Sequence, residues 1–210
     1  MPNKPVRFLA LCGILGPILF ACVVVILGAL SPGYQHMSQQ MSELGADGAA
    51  HAALYNGLGL GALGGLIIAF SLGLHLGIQP ARRVWIGPAL LATGGLVLIT
   101  TGVLSCDPGC NNYSTRGVLH EYISIGIFTL AVAPLALAGR FRKDSRWRGY
   151  VTFSIAAGVI SLLLGLLFGF GPMLGLDGWM GALQRATVGT GLLWMELIAI
   201  RLYRLSTSHG

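Results

Sequence analysis

The sequence predicts an all-α fold, a six-helix transmembrane bundle with the N and C termini cytoplasmic, and three observations predict it. The 210 residues contain six apolar runs long enough to cross a bilayer. Charged residues make up only 10% of the chain against 54% hydrophobic, too few to cover a water-soluble domain. The Lys and Arg residues also fall in alternate connections, so one side of the membrane collects nearly all of them. Helices are expected rather than barrel strands because the runs are continuous, and a lone strand would leave its backbone unpaired in hydrocarbon. Six spans with short connections use nearly the whole chain, so residues 1–210 read as a single integral membrane domain.

The first span, 8–30, carries no charge and is too long for the apolar core of a cleavable signal peptide, which runs about 7–15 residues. The outer loop that follows, Ser31 to His51, spaces Tyr34, Met37, Met41 and Leu44 as the apolar face of a short amphipathic helix. It is expected to lie at the interface or over the mouth of the bundle. Span two, 52–76, has only Asn56 and His75 as strongly polar members, and span three covers 84–104 without charge. Span four, 118–138, opens with His120 and Glu121; span five, 150–170, is again uncharged. Span six, 182–205, holds Arg185, Glu196, Arg201 and Arg204. Gly57, Gly61 and Gly65, and likewise Gly165 and Gly169, recur every four residues and predict smooth faces for close helix approach, either within the bundle or toward a second copy or membrane partner. Gly16-Pro17 and Gly87-Pro88 mark expected kinks.

The basic residues orient the bundle. Lys4 and Arg7 precede span one, Arg82 and Arg83 join spans two and three, and Arg140, Arg142, Lys143, Arg146 and Arg148 join four and five, with Arg201 and Arg204 ending span six. All of these share one side, which the positive-inside bias assigns to the cytoplasm. The formal net charge of +6 is therefore a topology signal, and no folded basic face remains outside the membrane for nucleic acid.

A weak threefold repeat of a two-helix hairpin follows from Pro32-Gly33, Pro108-Gly109 and Gly171-Pro172, each ending an odd span, and from the polar pair that opens each even one. These pairs place Asn56, Glu121 and Arg185 one turn inside the outer boundary. Ionisable groups there are costly and face the bundle interior, water or the headgroups. A Glu121–Arg185 pair bridged by Asn56, beside His120, would form an outward-facing polar pocket. Deeper in span six, Glu196 is expected to form an ion pair with Arg201, or to meet His75.

In Cys106-Asp107-Pro108-Gly109-Cys110 the turn can bring the cysteines together, and outside the cytoplasm a Cys106–Cys110 disulfide is expected. Cys12 and Cys22 read as small buried apolar residues, and Asn112-Tyr113-Ser114 fits a glycosylation sequon. His36, His51, His120 and Asp107 share the outer side as weak metal candidates. No pair of them has the spacing of ligands on one helix face, so no metal and no other cofactor is favoured.

Several of these stretches together resemble an uncharacterised prokaryotic family of six-span membrane proteins, domain of unknown function 998. The resemblance rests on Gly13-Ile14-Leu15-Gly16-Pro17, Ser31-Pro32-Gly33-Tyr34, His36-Met37-Ser38-Gln39, Ser42-Glu43-Leu44-Gly45, the Cys106–Cys110 turn and His120. It implies topology and no catalytic role. The expected function is a multi-pass plasma-membrane protein that binds a lipid headgroup or small polar molecule through Asn56, His120, Glu121 and Arg185. A metal-assisted membrane lipid hydrolase and a structural subunit of a membrane complex are the alternatives.

Overall fold

The structure, a computed structural model, describes residues 3–79 and 85–207. Among these residues there is no strand. Long helices are α1 (Lys4–Leu30), α2 (Ala52–Gly77), α3 (Ile86–Val103), α4 (Thr115–Phe141), α5 (Ser145–Phe170, its first turn 3-10) and α6 (Met180–Thr207). The first five are long and apolar enough to cross a membrane. At 28 residues α6 has the length, but Gln184, Arg185, Glu196 and Arg201 dilute its apolar character. The helices extend the expected spans by a few residues at most ends, because regular hydrogen bonding continues into the polar flanks. The expected cytoplasmic Arg82 and Arg83, and Val84 at the start of span three, lie outside the described residues.

Each helix packs against its neighbours in sequence, and α6 closes the ring on α1. All neighbours are antiparallel. Gly13 of α1 faces Phe70 of α2 and Ala199 of α6, Gly94 of α3 faces Leu130 of α4, and Gly165 of α5 faces Phe128 of α4 and Thr187 of α6. Inside the ring Leu63, Ile67, Phe70, Leu74, Trp194 and Ile198 are buried, and the Trp194 indole donates to the Ser154 hydroxyl at 2.9 Å. Large side chains such as Val25, Ile26, Leu72, Leu96, Leu163 and Phe170 point outward, each at least half exposed. An apolar exterior of this kind is matched to acyl chains rather than water.

The tightest crossing is between α2 and α3, where a Cβ on Gly64 would stand 2.4 Å from the Gly95 carbonyl oxygen and one on Gly95 2.6 Å from that of Gly64. Only a missing side chain on both helices permits this approach. The expected face of Gly57, Gly61 and Gly65 lies elsewhere: among the described residues a Cβ on Gly57 or Gly65 would meet nothing within 4 Å, and one on Gly61 only the Asn56 carbonyl of its own helix. Of the second pair, Gly165 packs against Phe128 while Gly169 is open. Four-residue spacing marks one face of a helix but not which neighbour it meets. Cys12 is buried as expected, whereas Cys22 is exposed on the outer surface of α1.

Proline acts less than its positions suggest. Pro17 lies within an uninterrupted α1, and Pro88 occupies the first turn of α3, where the missing N–H would have no helical partner. Segment Tyr55–Gly61 of α2 is a π-helical stretch, and α4 tightens to a 3-10 turn at Ile125–Ile127. The expected amphipathic helix across 34–44 is replaced by turns and a five-residue 3-10 helix, Met41–Gly45. Met41 and Leu44 are buried, but Met37 is half exposed. The loop backbone closes single turns on itself, such as Gln39 N to the Gln35 carbonyl at 2.8 Å, while its carbonyls at Met37 and Ser38 accept from the α6 N-terminus.

Candidate functional site

The end of the ring formed by the α1 and α5 C-termini and the α6 N-terminus carries the loop between α1 and α2 as a cap. Arg185, in the second turn of α6, builds it. Its Nη1 donates to the carbonyls of His36 (2.7 Å), Gln39 (3.0 Å) and Gly181 (2.9 Å), and its Nη2 to the Tyr34 hydroxyl (2.6 Å) and His36 Nδ1 (3.0 Å). Arginine only donates, so His36 Nδ1 is the acceptor at this contact. The guanidinium also lies over the Tyr34 ring, 5.6 Å from its centre. Burial pushes the Tyr34 phenol up, while the hydrogen bond and charge of Arg185 act in the opposite sense.

The α6 N-terminus completes the junction. Its free N–H groups at Gly181 and Ala182 donate to the carbonyls of Ser38 (3.2 Å) and Met37 (2.9 Å), and the Gln184 side chain accepts from Met41 N at 2.5 Å. Helix-end donors that lack an intrahelical partner are thereby satisfied by the loop. A Cβ on Gly181 would strike the Gln39 carbonyl oxygen at 2.2 Å, so the loop can seat only over glycine. On its other side the loop is held by Asn56, whose Nδ2 donates to the Gly45 carbonyl at 2.9 Å.

The connection between α3 and α4 meets this loop. Cys106 and Cys110 form a disulfide, 2.17 Å between sulfurs, across a turn in which Gly109 (φ 67°) and Cys110 (φ 50°) are left-handed. Asp47 N donates to the Cys106 carbonyl at 2.8 Å. Asp107 accepts from the Ser114 amide and hydroxyl, both at 2.7 Å, which hold its carboxyl below the ordinary range, with a smaller contribution from Arg116. Between these loops opens a recess of about 410 Å³, bordered by Tyr34, Gln39, Glu43, Asp47, Ala50 and Pro108.

The expected pocket residues therefore divide. Arg185 and Asn56 come to the same loop from two helices. Glu121 lies on the exposed face of α4, accepts a short hydrogen bond from Asn112, and among the described residues shares no hydrogen bond or ion pair with Arg185 or Asn56. His120 is aimed at the C-terminus of α3, its Nδ1 2.7 Å from the Leu104 carbonyl and 3.3 Å from that of Thr101. The weak metal set is dispersed among other partners: His36 on Arg185, Asp107 on Ser114, His120 on α3, and His51 at the start of α2. Among the described residues no three His, Cys, Asp or Glu side chains are grouped to hold a metal ion.

At the opposite end the basic residues knot the helix termini. Asp144, 1% exposed, accepts from Arg146 Nη2 (2.7 Å) and Nε (3.0 Å) and from the Gln79 amide (3.1 Å). The Arg146 hydrogen bonds pull its carboxyl down from 3.8 to about 2. Arg140 and Arg146 donate to the carbonyls of His75, Gly77 and Ile78, which end α2. Arg201 donates to the Arg146 carbonyl at 2.8 Å and lies over the Tyr150 ring, and among the described residues no ion pair joins it to Glu196. Glu196 is half-buried and accepts no hydrogen bond among them. Asp144 escaped the sequence reading because it lies within a run of cations, Arg142 to Arg148, where the topology signal dominates; its place between Lys143 and Arg146 was the signal that marked it. Gln184, next to Arg185, was likewise visible as polar but not as a loop anchor.

The family model described as "Protein of unknown function (DUF998)" matches residues 14–201, and the chain belongs to that family. No curated protein and no solved structure matches the sequence.

Proposed function

We propose that this protein spans the prokaryotic plasma membrane six times as one integral unit, with both termini in the cytoplasm, and binds a small polar molecule or a lipid headgroup in its outward-facing recess. Family membership and the five apolar helices support the membrane assignment. The gathering of Lys4, Arg7, Arg140, Arg142, Lys143, Arg146, Arg148, Arg201 and Arg204 at one end of the ring supports the orientation. The single observation that carries the ligand reading is the recess between the first outer loop and the disulfide turn, whose walls are pinned by side chains from α2 and α6.

In this reading Arg185 and Asn56 are positioning residues. Both terminal nitrogens of Arg185 are engaged by the loop, so contact with the ligand falls to the wall groups, Tyr34, Gln39, Glu43 and Asp47. His120 fixes α4 against α3, and Glu121 with Asn112 forms the neighbouring rim. The reading is tested by native mass spectrometry of protein released from its own membrane. Ala50→Trp, which fills the recess from an exposed wall position, is expected to abolish co-purification of a small polar molecule or lipid while leaving the melting temperature unchanged. Identical bound species in wild type and Ala50→Trp would remove the reading.

A second reading has one observation of its own. Gly57 and Gly65 leave a smooth, open strip on the outside of α2, suited to a second copy or a membrane partner subunit. Photocrosslinking from Leu58 in the native membrane is expected to trap a partner helix, and capture of lipid alone would dismiss it.

A further inference from the structure

At the basic end a second cavity of about 330 Å³ opens between the start of α1, the end of α2 and the last turns of α6. Its volume lies within the usual range for small-molecule sites, about 300–1,000 Å³. Asn3, Gln79, Arg146 and Ser206 supply its polar walls, and Val6 and Leu202 its apolar ones. Arg146 presents a divided guanidinium: Nε and Nη2 are fixed by Asp144 and the Gly77 carbonyl, while Nη1 has no hydrogen-bond partner among the described residues. The two fixed nitrogens set the plane and aim of the free one. Lys4, Arg7, Arg201 and Arg204 adjoin the wall residues in sequence and add positive potential. Arg201 Nε is buried without a hydrogen-bond partner among the described residues. At the mouth, Leu76 is 53% exposed on the last apolar turn of α2.

A preorganised donor, a positive surround, neutral hydrogen-bonding groups and an apolar lip at the membrane boundary match a phosphate carried at the interface. We propose that this cavity binds the phosphate group of an anionic phospholipid, with Arg146 as the ligating cation and the Gln79 and Asn3 side-chain amides around the oxygens, while Ser206, whose hydroxyl donates to the Tyr203 carbonyl, only borders the site. The glycerol and first acyl carbons lie against Leu76 and Leu202. Basic pockets between helix ends are suited to such headgroups because the local field and the hydrophobic lip act on the same molecule.

The test uses the full chain in nanodiscs containing equal phosphatidylglycerol and phosphatidylcholine, with lipid retained after detergent extraction read by native mass spectrometry. Wild type is expected to retain phosphatidylglycerol about tenfold over phosphatidylcholine, the scale set by one or two basic groups. Arg146→Gln is expected to lose this preference. Because Arg146 also braces Asp144 and α2, Leu76→Trp serves as the second variant, blocking the mouth from an exposed position outside that knot. In a parallel arm, sodium phosphate is titrated against sodium chloride at matched ionic strength and the melting temperature recorded. Selective retention of phosphatidylglycerol without a phosphate effect identifies the lipid as the source. A phosphate-specific rise in melting temperature lost in Leu76→Trp identifies free phosphate at the same site. Equal retention of both lipids with no phosphate effect, or an unchanged preference in Leu76→Trp, overturns the proposal. Ala50→Trp, at the other end of the molecule, is expected to leave the preference intact, which separates this site from the outer recess.

Discussion

Arg185 joins two parts of the chain 149 residues apart through a planar group that meets five acceptors at once. Lysine has neither the fork nor the reach to reproduce that pattern. Arg185→Lys is therefore expected to behave like Arg185→Ala, with a loss of about 2 kcal/mol in unfolding free energy and faster amide exchange confined to residues 34–46. Hydrogen exchange with mass spectrometry checks it, and full protection in the lysine variant would show that charge alone suffices. Asp144 makes a pH prediction. Its carboxyl is depressed from 3.8 to about 2 in the folded chain, so the unfolded state binds the proton first. The stability it contributes is complete above pH 3.8 and is lost as pH falls toward 2. Melting curves in detergent are expected to decline over that window, and Asp144→Asn to lower stability at neutral pH while flattening this limb.

Among the elements, the contact between α2 and α3 gives the sharpest contrast. Gly64→Ala drives a methyl group into the Gly95 carbonyl and is expected to cost about 1–3 kcal/mol. Gly65→Ala, one residue on, points into open space and is expected to be neutral or slightly stabilising, since alanine favours helix over glycine. Paired melting temperatures decide between these outcomes. Adjacent glycines with opposite roles also show where the sequence becomes opaque. The spans were legible because hydrocarbon forces each backbone to satisfy itself within one continuous apolar segment, and the disulfide turn because its cysteines are local. The loop between α1 and α2 was not. Its periodicity suggested a helix, but its carbonyls at Met37, Ser38 and Gln39 are claimed by Gly181, Ala182 and Arg185, far along the chain. Arg185 and Asn56 were visible as costly polar groups near one rim, whereas their common target was not, because no local pattern encodes a tertiary acceptor. Asp144 was hidden for a different reason: its partner Arg146 is local, but the surrounding run of cations carries the topology signal.

For the molecule as a whole, the two ends differ in chemistry: guanidinium groups bind helix C-termini at one, and loops lock over helix ends at the other. Sided labelling tests the orientation assigned to them. In intact cells, Asn112→Cys is expected to react with a membrane-impermeant maleimide, and Arg148→Cys only after permeabilisation; the reverse pattern would invert the protein.

Closure of the ring has a temporal corollary. The seam formed by Arg7 with Tyr203 and by Gly13 with Ala199 unites α1 with a helix that leaves the ribosome long after it. Until α6 emerges, the nascent chain holds an unsealed groove along α1, and the outer cap has neither Arg185 nor Gly181 to settle upon. A chain cut short before residue 180 thus lacks the clasp for both, and such a fragment would offer quality-control proteases the very surfaces that the finished protein conceals.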